Sequence, residues 1–309
     1  IVGGGISGLT AAAFLSQAGL NVLICEKENK CGGLVNSFER DGFMYDGGIR
    51  AMENSGVLFP MLKALGLQIE FVKNHISVGI ENRVIRIESD ENVADYQSLL
   101  SELYPESKQE IDAIIHEIKK IMHYMDVQYG IDNPIFLDFK QDMAYMGKVI
   151  LPWVVKYAIT APKISALQGP VVDFLQNHTQ NQALLDIITQ HFFRDTPAFF
   201  ALSYLKLYVD YHYPVGGIGK LIEQMVAFIE SHNGTIKNNV KISDVDPTNN
   251  TIKDIQGNVY EYRKLIWAAD LKTLYNILDL ETLSESSIRQ KIASRKNELK
   301  DKTVNDSIY

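Results

Sequence analysis

The sequence has few cysteines, no excess of positive charge and no long uninterrupted apolar segment. Cys25 and Cys31 are the only cysteines among its 309 residues. Their spacing fits neither a C-x-x-C redox motif nor a metal-ligand pattern. We therefore expect two reduced thiols, as in a cytoplasmic protein, and no metal site.

Charge and composition set further limits. The net charge of −8 and the lack of clustered Lys and Arg argue against nucleic-acid binding. Apolar residues make up 46% and charged residues 22%, as in ordinary globular proteins, and the length suffices for about two domains. The sequence begins without Met and shows no secretory signal, and "KDKTVNDSIY" ends it without a helix cap. We expect a piece of a longer protein.

The sequence opens with "IVGGGISGLTAAAFLSQAG", in which Gly3, Gly5 and Gly8 match G-x-G-x-x-G. A helix is predicted over 6–18, and "NVLICEK" then reads as a strand ending in Glu26. Strand, glycine turn, helix, strand and acid together indicate a dinucleotide site, with helix amides for the diphosphate and the carboxylate for a ribose diol. The alternative is a turn that serves structure alone.

The residues after Glu26 favour a flavin over a nicotinamide cofactor. A second helix and parallel strand would continue a nicotinamide-binding domain. Instead "NKCGGLVNSFERDGFMYDGG" predicts a hairpin around Asp41-Gly42.

The middle of the chain predicts a hairpin around Asn82 and a helix over 105–129. The apolar stripe of that helix is expected in the core, and it consists of Ile111, Ile114, Ile115, Ile118, Met122 and Met125. Residues 143–161 predict a buried helix that does not span a membrane, since Lys and Pro interrupt it. The alternatives for it are a face on the membrane surface or a lid over an apolar substrate.

The last third returns to an α/β pattern. Gly216, Gly217 and Gly219 precede an amphipathic helix, and we favour a helix entry there over a second nucleotide site because no apolar strand precedes them. A hairpin is predicted at 256–258, and "KLIWAAD" is predicted to be a buried strand. His191 and His212 lie in aromatic-rich stretches, where packing is the commoner role of a histidine, so we assign no catalytic residue.

In this order the motifs resemble the FAD-dependent phytoene desaturase, carotenoid isomerase and retinol saturase family, which is related to flavin amine oxidases. The matching segments are "IVGGGISGL", "EKENKCGG", "DGFMYDGG", "YPVGGIGKLIEQM" with "GTIKNNVKI", and "LIWAAD". The resemblance implies an α/β fold, with a Rossmann-like FAD/NAD(P)-binding domain (1–75 plus 214–272) and an inserted α+β substrate domain (76–213 plus 273–309).

The resemblance also implies where FAD would bind. The residues it assigns are Gly3, Gly5, Ile6, Ser7, Gly8, Glu26, Lys27, Gly32, Gly33, Leu34, Gly48, Ile49, Val240 and Ala268. Two positions depart from the family: Leu34 stands where relatives often have Arg, and Asp46 is followed by Gly-Gly-Ile-Arg where many have Gly-Pro. Arg50 would face the flavin or a substrate, or pair with an acid at the surface. The family's terminal FAD segment does not occur in this sequence.

From the resemblance we expect an FAD-dependent oxidoreductase that desaturates, saturates or isomerises an apolar small molecule, a polyene or isoprenoid. The alternatives are an amine-oxidising flavoenzyme and a prenyl-binding protein of the Rab GDP dissociation inhibitor type. We expect a cytoplasmic protein, with a peripheral membrane contact left open. The sequence makes no prediction about the oligomeric state.

Overall fold

A computed structural model describes residues 1–138, 140–193, 195–280, 283 and 285–300. Its helices in chain order are α1 (Ile6–Gln17), α2 (Leu58–Leu65), α3 (Val93–Leu103), α4 (Lys108–Tyr129), α5 (Met143–Tyr145), α6 (Leu151–Ser165), α7 (Val171–Gln176), α8 (Gln182–Thr189), α9 (Ala198–Asp210), α10 (Gly219–Ser231), α11 (Leu271–Ile277) and α12 (Ser286–Lys300). A π-helical turn, Met146–Ile150, joins α5 to α6. Its strands are β1 (Leu23–Cys25), β2 (Ser37–Arg40), β3 (Phe43–Asp46), β4 (Met52–Glu53), β5 (Phe71–Lys73), β6 (Ile76–Ile80), β7 (Arg83–Ile87), β8 (Tyr211–Pro214), β9 (Thr235–Lys237), β10 (Ile242–Asp246), β11 (Thr251–Asp254) and β12 (Val259–Glu261).

The described residues form two compact units. The first contains Ile1–Arg50 and the described residues from Pro214 onward, and the second is Ala51–Tyr213. This division differs from the predicted domains at 51–75, because β4 and β5 both pair with β8. It also differs at 273–300, because α11 packs on β10 and α12 packs on α11. Residues 301–309 of the predicted second domain lie outside the described residues.

A parallel arrangement of short backbone pairs forms the centre of the first unit. β1 pairs with β9 in parallel, and Val2 bridges Cys25 on one side and Trp267 on the other. The connection from Val2 to β1 runs through α1, as a parallel crossover requires. α1 buries Leu9, Ala12 and Ala13, and it packs against α10. The small side chains of α1 allow this approach.

Antiparallel hairpins surround this centre. β2 pairs with β3, and β10, β11 and β12 form an antiparallel meander. In the β2–β3 turn Asp41 and Gly42 both have positive φ, +54° and +79°, as a two-residue turn of type I′ requires. The predicted hairpins around Asp41-Gly42 and 256–258 are confirmed.

The second unit is built around α4. The predicted stripe on α4 is buried throughout, which confirms that helix and its core face. α3, α6 and α9 pack against α4, and the hairpin of β6 and β7, predicted around Asn82, is also confirmed.

Two sequence-based expectations are wrong. Residues 143–161 are helical but largely exposed: Ile150 and Thr160 are buried, whereas Leu151 and Val155 face solvent. Apolar residues occur on all sides of this helix, so composition could not show which side packs. "KLIWAAD" forms no strand, because only the Trp267 bridge to Val2 meets the pairing geometry there. Within the described residues, no helix is long and apolar enough to cross a membrane.

Candidate dinucleotide site

The glycine turn before α1 is packed on one side and open on the other. A Cβ on Gly8 would collide with the Gly3 carbonyl oxygen, and a Cβ on Gly3 would lie 2.6 Å from the Ala268 carbonyl oxygen. Gly3 also has φ of +100°, where L side chains are strained. By contrast, a Cβ on Gly5 would meet no heavy atom within 4 Å. The backbone at Gly5 is therefore accessible to a ligand.

The start of α1 offers unpaired amide groups. The amide of Leu9 donates to the Gly5 carbonyl at 2.9 Å, so the amides of Ile6, Ser7 and Gly8 precede the helical hydrogen-bond ladder. Among the residues that the structure describes, no side chain caps this end, and the first turn contains no acid. Amide groups and the positive end of the helix dipole together attract an anion such as a diphosphate.

The Glu26 carboxylate lies beside this turn. Its Oε2 accepts from the Gly4 amide at 2.6 Å, and its Oε1 accepts from the Glu28 amide at 2.9 Å. Glu26 is only 7% exposed, so these two bonds hold its carboxylate in place. Each oxygen has a further lone pair that can accept from a ribose hydroxyl.

A second backbone segment runs alongside the glycine turn. The Gly32 amide donates to the Gly4 carbonyl at 2.8 Å, and a Cβ on Gly33 would lie 3.4 Å from Gly5 Cα. Both glycines have positive φ. The positive φ at both positions favours glycine there.

Leu34 and Ile49 extend the second backbone segment that runs beside the glycine turn. The Ile49 amide donates to the Leu34 carbonyl at 3.1 Å, and a Cβ on Gly48 would collide with the same carbonyl oxygen. The Leu34 and Ile49 side chains are both exposed, so the surface of this segment is apolar here.

Backbone hydrogen bonds hold Val240 and Ala268 next to the site. The Val240 amide donates to the Glu26 carbonyl at 2.8 Å, and the Ala268 amide donates to the Val2 carbonyl at 2.8 Å. Because its amide is already bonded, Val240 can contact an adenine through its backbone only with its carbonyl oxygen.

Residues 6–298 match the family described as flavin containing amine oxidoreductase. The chain belongs to this family. Its relatives include an inactive all-trans-retinol 13,14-reductase from Danio rerio, 23% identical over 79% of this chain and 41% of that protein, and a lycopene-forming phytoene desaturase from Pantoea ananas, 20% identical over 100% of this chain and 61% of that protein. The resemblance predicted from the motifs is confirmed.

An oxidoreductase structure from Methanosarcina mazei shares the fold. It superposes with a TM-score of 0.61 at 15% identity, over 95% of this chain and 64% of that chain. Like the curated relatives, it is longer than this chain, which spans between two fifths and two thirds of their lengths.

In this member of the flavin containing amine oxidoreductase family, Glu26, Gly32, Gly33 and Ala268 contact the glycine turn, Val240 bonds to Glu26, and Leu34, Gly48 and Ile49 contact one another beyond Gly33. Lys27 does not join them: it is exposed and pairs with Glu28 at 3.5 Å. The sequence reasoning missed Gly4 and Cys31, which meet at the turn, since a Cβ on Gly4 would lie 2.5 Å from the Cys31 Sγ. The run of three glycines was the signal for Gly4.

The environment of Cys31 keeps its thiol protonated. Burial, followed by the charges of Glu26 and Glu230, raises the pKa of Cys31 to about 11. Both cysteines are buried and free. A neutral thiol next to Glu26 adds no charge that competes for the ligand.

The second glycine turn has a different role. The amides of Ile218 and Gly219 donate to Asp46 Oδ1 at 3.2 Å and Ser37 Oγ at 3.0 Å, so side chains already cap the start of α10. A carboxylate at this position would repel a phosphate. The preferred interpretation as a helix entry is confirmed.

The two histidines lie in the second unit, in aromatic surroundings. His191 makes an edge contact with Phe192, and His212 makes one with Phe59. His191 lines a small cavity of about 40 Å³ together with Tyr96, Ile188, Tyr204 and Tyr208. This cavity is far smaller than the roughly 300–1,000 Å³ of a typical small-molecule pocket.

Proposed function

We propose that the protein containing this chain is an FAD-dependent oxidoreductase that desaturates, saturates or isomerises an apolar polyene or isoprenoid. The observation that carries the cofactor assignment is the Glu26 carboxylate, which is bonded to the Gly4 amide next to the open backbone of Gly5. Family membership supports a flavin, and the named functions of the curated relatives support the substrate class.

The residues fit an adenine dinucleotide chemically. Amides of Ile6, Ser7 and Gly8 would hold the diphosphate, and the Glu26 carboxylate would hold the ribose diol. A 2′-phosphate would be repelled by Glu26, which favours FAD over a phosphorylated nicotinamide. The glycines at 32 and 33 would let the cofactor pass close to the second backbone segment.

When bound, FAD would supply the hydride chemistry, which protein side chains lack. The chain itself binds and orients. Its packed glycines fix the turn before any ligand arrives, so little ordering is needed on binding. The exposed apolar side chains of Leu34 and Ile49 would exclude water from the adjoining part of the cofactor.

The cofactor test is a charge reversal in the protein that contains this chain. We expect Glu26→Lys to abolish flavin retention, because it removes the ribose acceptor and places a cation beside the Gly4 amide. Glu28→Lys is the matched control, since the Glu28 side chain is exposed. Flavin is measured by absorbance of the purified variants at equal protein concentration. Normal occupancy in Glu26→Lys would contradict the assignment.

The substrate test is anaerobic. We expect long isoprenoids or polyenes to change the flavin spectrum of the intact protein, and amines to leave it unchanged. If amines reduce the flavin and isoprenoids do not, amine oxidation is the function. A purified protein that is colourless and takes up no FAD would support a non-catalytic prenyl binder instead.

A further inference from the structure

The helix α6 carries apolar side chains on its exposed side as well as on its packed side. Leu151, Val155 and Ile159 follow each other at intervals of four residues and are 70%, 61% and 62% exposed. Residues four apart lie on one side of a helix. An apolar stripe therefore faces solvent from Leu151 to Ile159.

The orientation of α6 is fixed by contacts on its other side. The indole Nε1 of Trp153 donates to the Val127 carbonyl of α4 at 2.5 Å, and the Trp153 ring stacks on Tyr157. Thr160 and Ile164 are buried on the same side. The stripe cannot turn inward without breaking these contacts.

Positive charge accompanies the stripe. Residues 143–165 contain Lys148, Lys156 and Lys163 and no Asp or Glu, in a chain whose net charge is −8. All three lysines are exposed, and each lies three or four positions from a residue of the stripe. Lys163 also lies over the Tyr124 ring.

We propose that α6 docks on the surface of a bilayer that contains anionic phospholipids. The stripe would enter the boundary between headgroups and acyl chains, and Lys148 and Lys156 would bind the phosphates. A second copy of the chain fits less well, since two such faces would bring lysines against lysines. The proposal does not depend on flavin binding or on the substrate.

The test uses the whole protein and two kinds of vesicle. One kind is phosphatidylcholine alone, and the other also contains about 30 mol % phosphatidylglycerol, a composition rich enough in anionic lipid to set up a negative surface potential. We expect binding in cosedimentation to the anionic vesicles, weakening as salt is added.

Two variants separate the apolar and electrostatic contributions. Replacing Leu151, Val155 and Ile159 together by Ser should lower partitioning at least about tenfold. Replacing Lys148 and Lys156 by Gln should lower it about fivefold per lysine on anionic vesicles and little on neutral ones. Two matched controls change exposed residues of the same unit and should leave binding unchanged. The control for the apolar variant is Val72→Ser with Val84→Ser, and the control for the lysine variant is Lys108→Gln with Lys119→Gln.

The remaining outcomes overturn the proposal. These are no binding of the whole protein to either vesicle, or equal binding by the variants and the parent. If the Ser variant changes the oligomeric state measured by light scattering, the stripe is an interface between copies. If that variant lowers the melting temperature by more than its controls, the stripe is covered within the protein.

Discussion

The glycine turn of the first unit and the helix α6 of the second are both recognisable in the sequence, yet only the first has the environment that its sequence predicts. Around the turn, Gly3 and Gly8 lie so close to neighbouring backbone that no side chain fits. In α6, Leu151 and Val155 project into solvent although apolar residues are usually buried. A run of glycines in the sequence shows where the backbone must be tightly packed, whereas apolar composition alone does not show which side of a helix packs against the protein.

A pair of alanine substitutions in the turn gives the strongest test of this difference. We expect Gly8→Ala to destabilise the protein by at least about 3 kcal/mol, because its Cβ collides with the Gly3 carbonyl and this outweighs alanine's helix preference of about 1 kcal/mol. With flavin removed from both proteins, Gly5→Ala should unfold at nearly the parent temperature, because its Cβ meets no heavy atom within 4 Å, and it should not take up flavin when FAD is added back. Thermal unfolding and flavin absorbance are the two measurements. Equal stability losses would show that the turn is uniformly packed.

A second pair tests the contrast between the core and the exposed stripe. Ile114 of α4 is 1% exposed, so Ile114→Ala should cost about 3 kcal/mol through lost burial and the cavity left behind. Val155→Ala removes exposed surface and should change the free energy of unfolding by less than about 0.5 kcal/mol. Chemical denaturation of both variants gives the comparison. A large loss for Val155→Ala would mean that α6 is packed inside the protein.

A further expected effect concerns the Cys31 thiol beside the turn. Burial raises its pKa in the folded protein to about 11, well above the ordinary value for a thiol. The unfolded chain loses this proton first as the pH rises, so stability should fall from about pH 9 and level off near pH 11, by roughly 1 kcal/mol over the first pH unit. The measurement is the pH dependence of unfolding in the parent and in Cys31→Ala, which should lack this component. Parallel pH curves would contradict it.

Much of the site could be predicted because its spacing is local. The glycines, α1 and Glu26 occur within one crossover, and helix and turn geometry bring them together. The match of Gly32 and Gly33 to the turn was anticipated only through the family resemblance, since their contact with Gly4 and Gly5 depends on the path of a loop. No local pattern in the sequence predicts the hydrogen bond from the Val240 amide to the Glu26 carbonyl.

The errors have a common cause. "KLIWAAD" has the composition of a strand, but strand formation needs a partner, and only Val2 provides one. The predicted boundary after residue 75 was drawn from local patterns, whereas β4 and β5 both pair with β8, more than 130 residues away in the sequence. Pairing over such distances leaves no local signal.

The sequence by itself determined the glycine turn, the core stripe of α4 and the tight hairpins, because steric limits and periodicity act over a few residues. Tertiary structure alone decided that α6 would expose its apolar side, that Ser37 and Asp46 would cap α10, and that Glu26 would be fixed by the Gly4 amide. Those outcomes depend on which groups remain unpaired after the rest of the chain has packed, and this is a property of the whole fold.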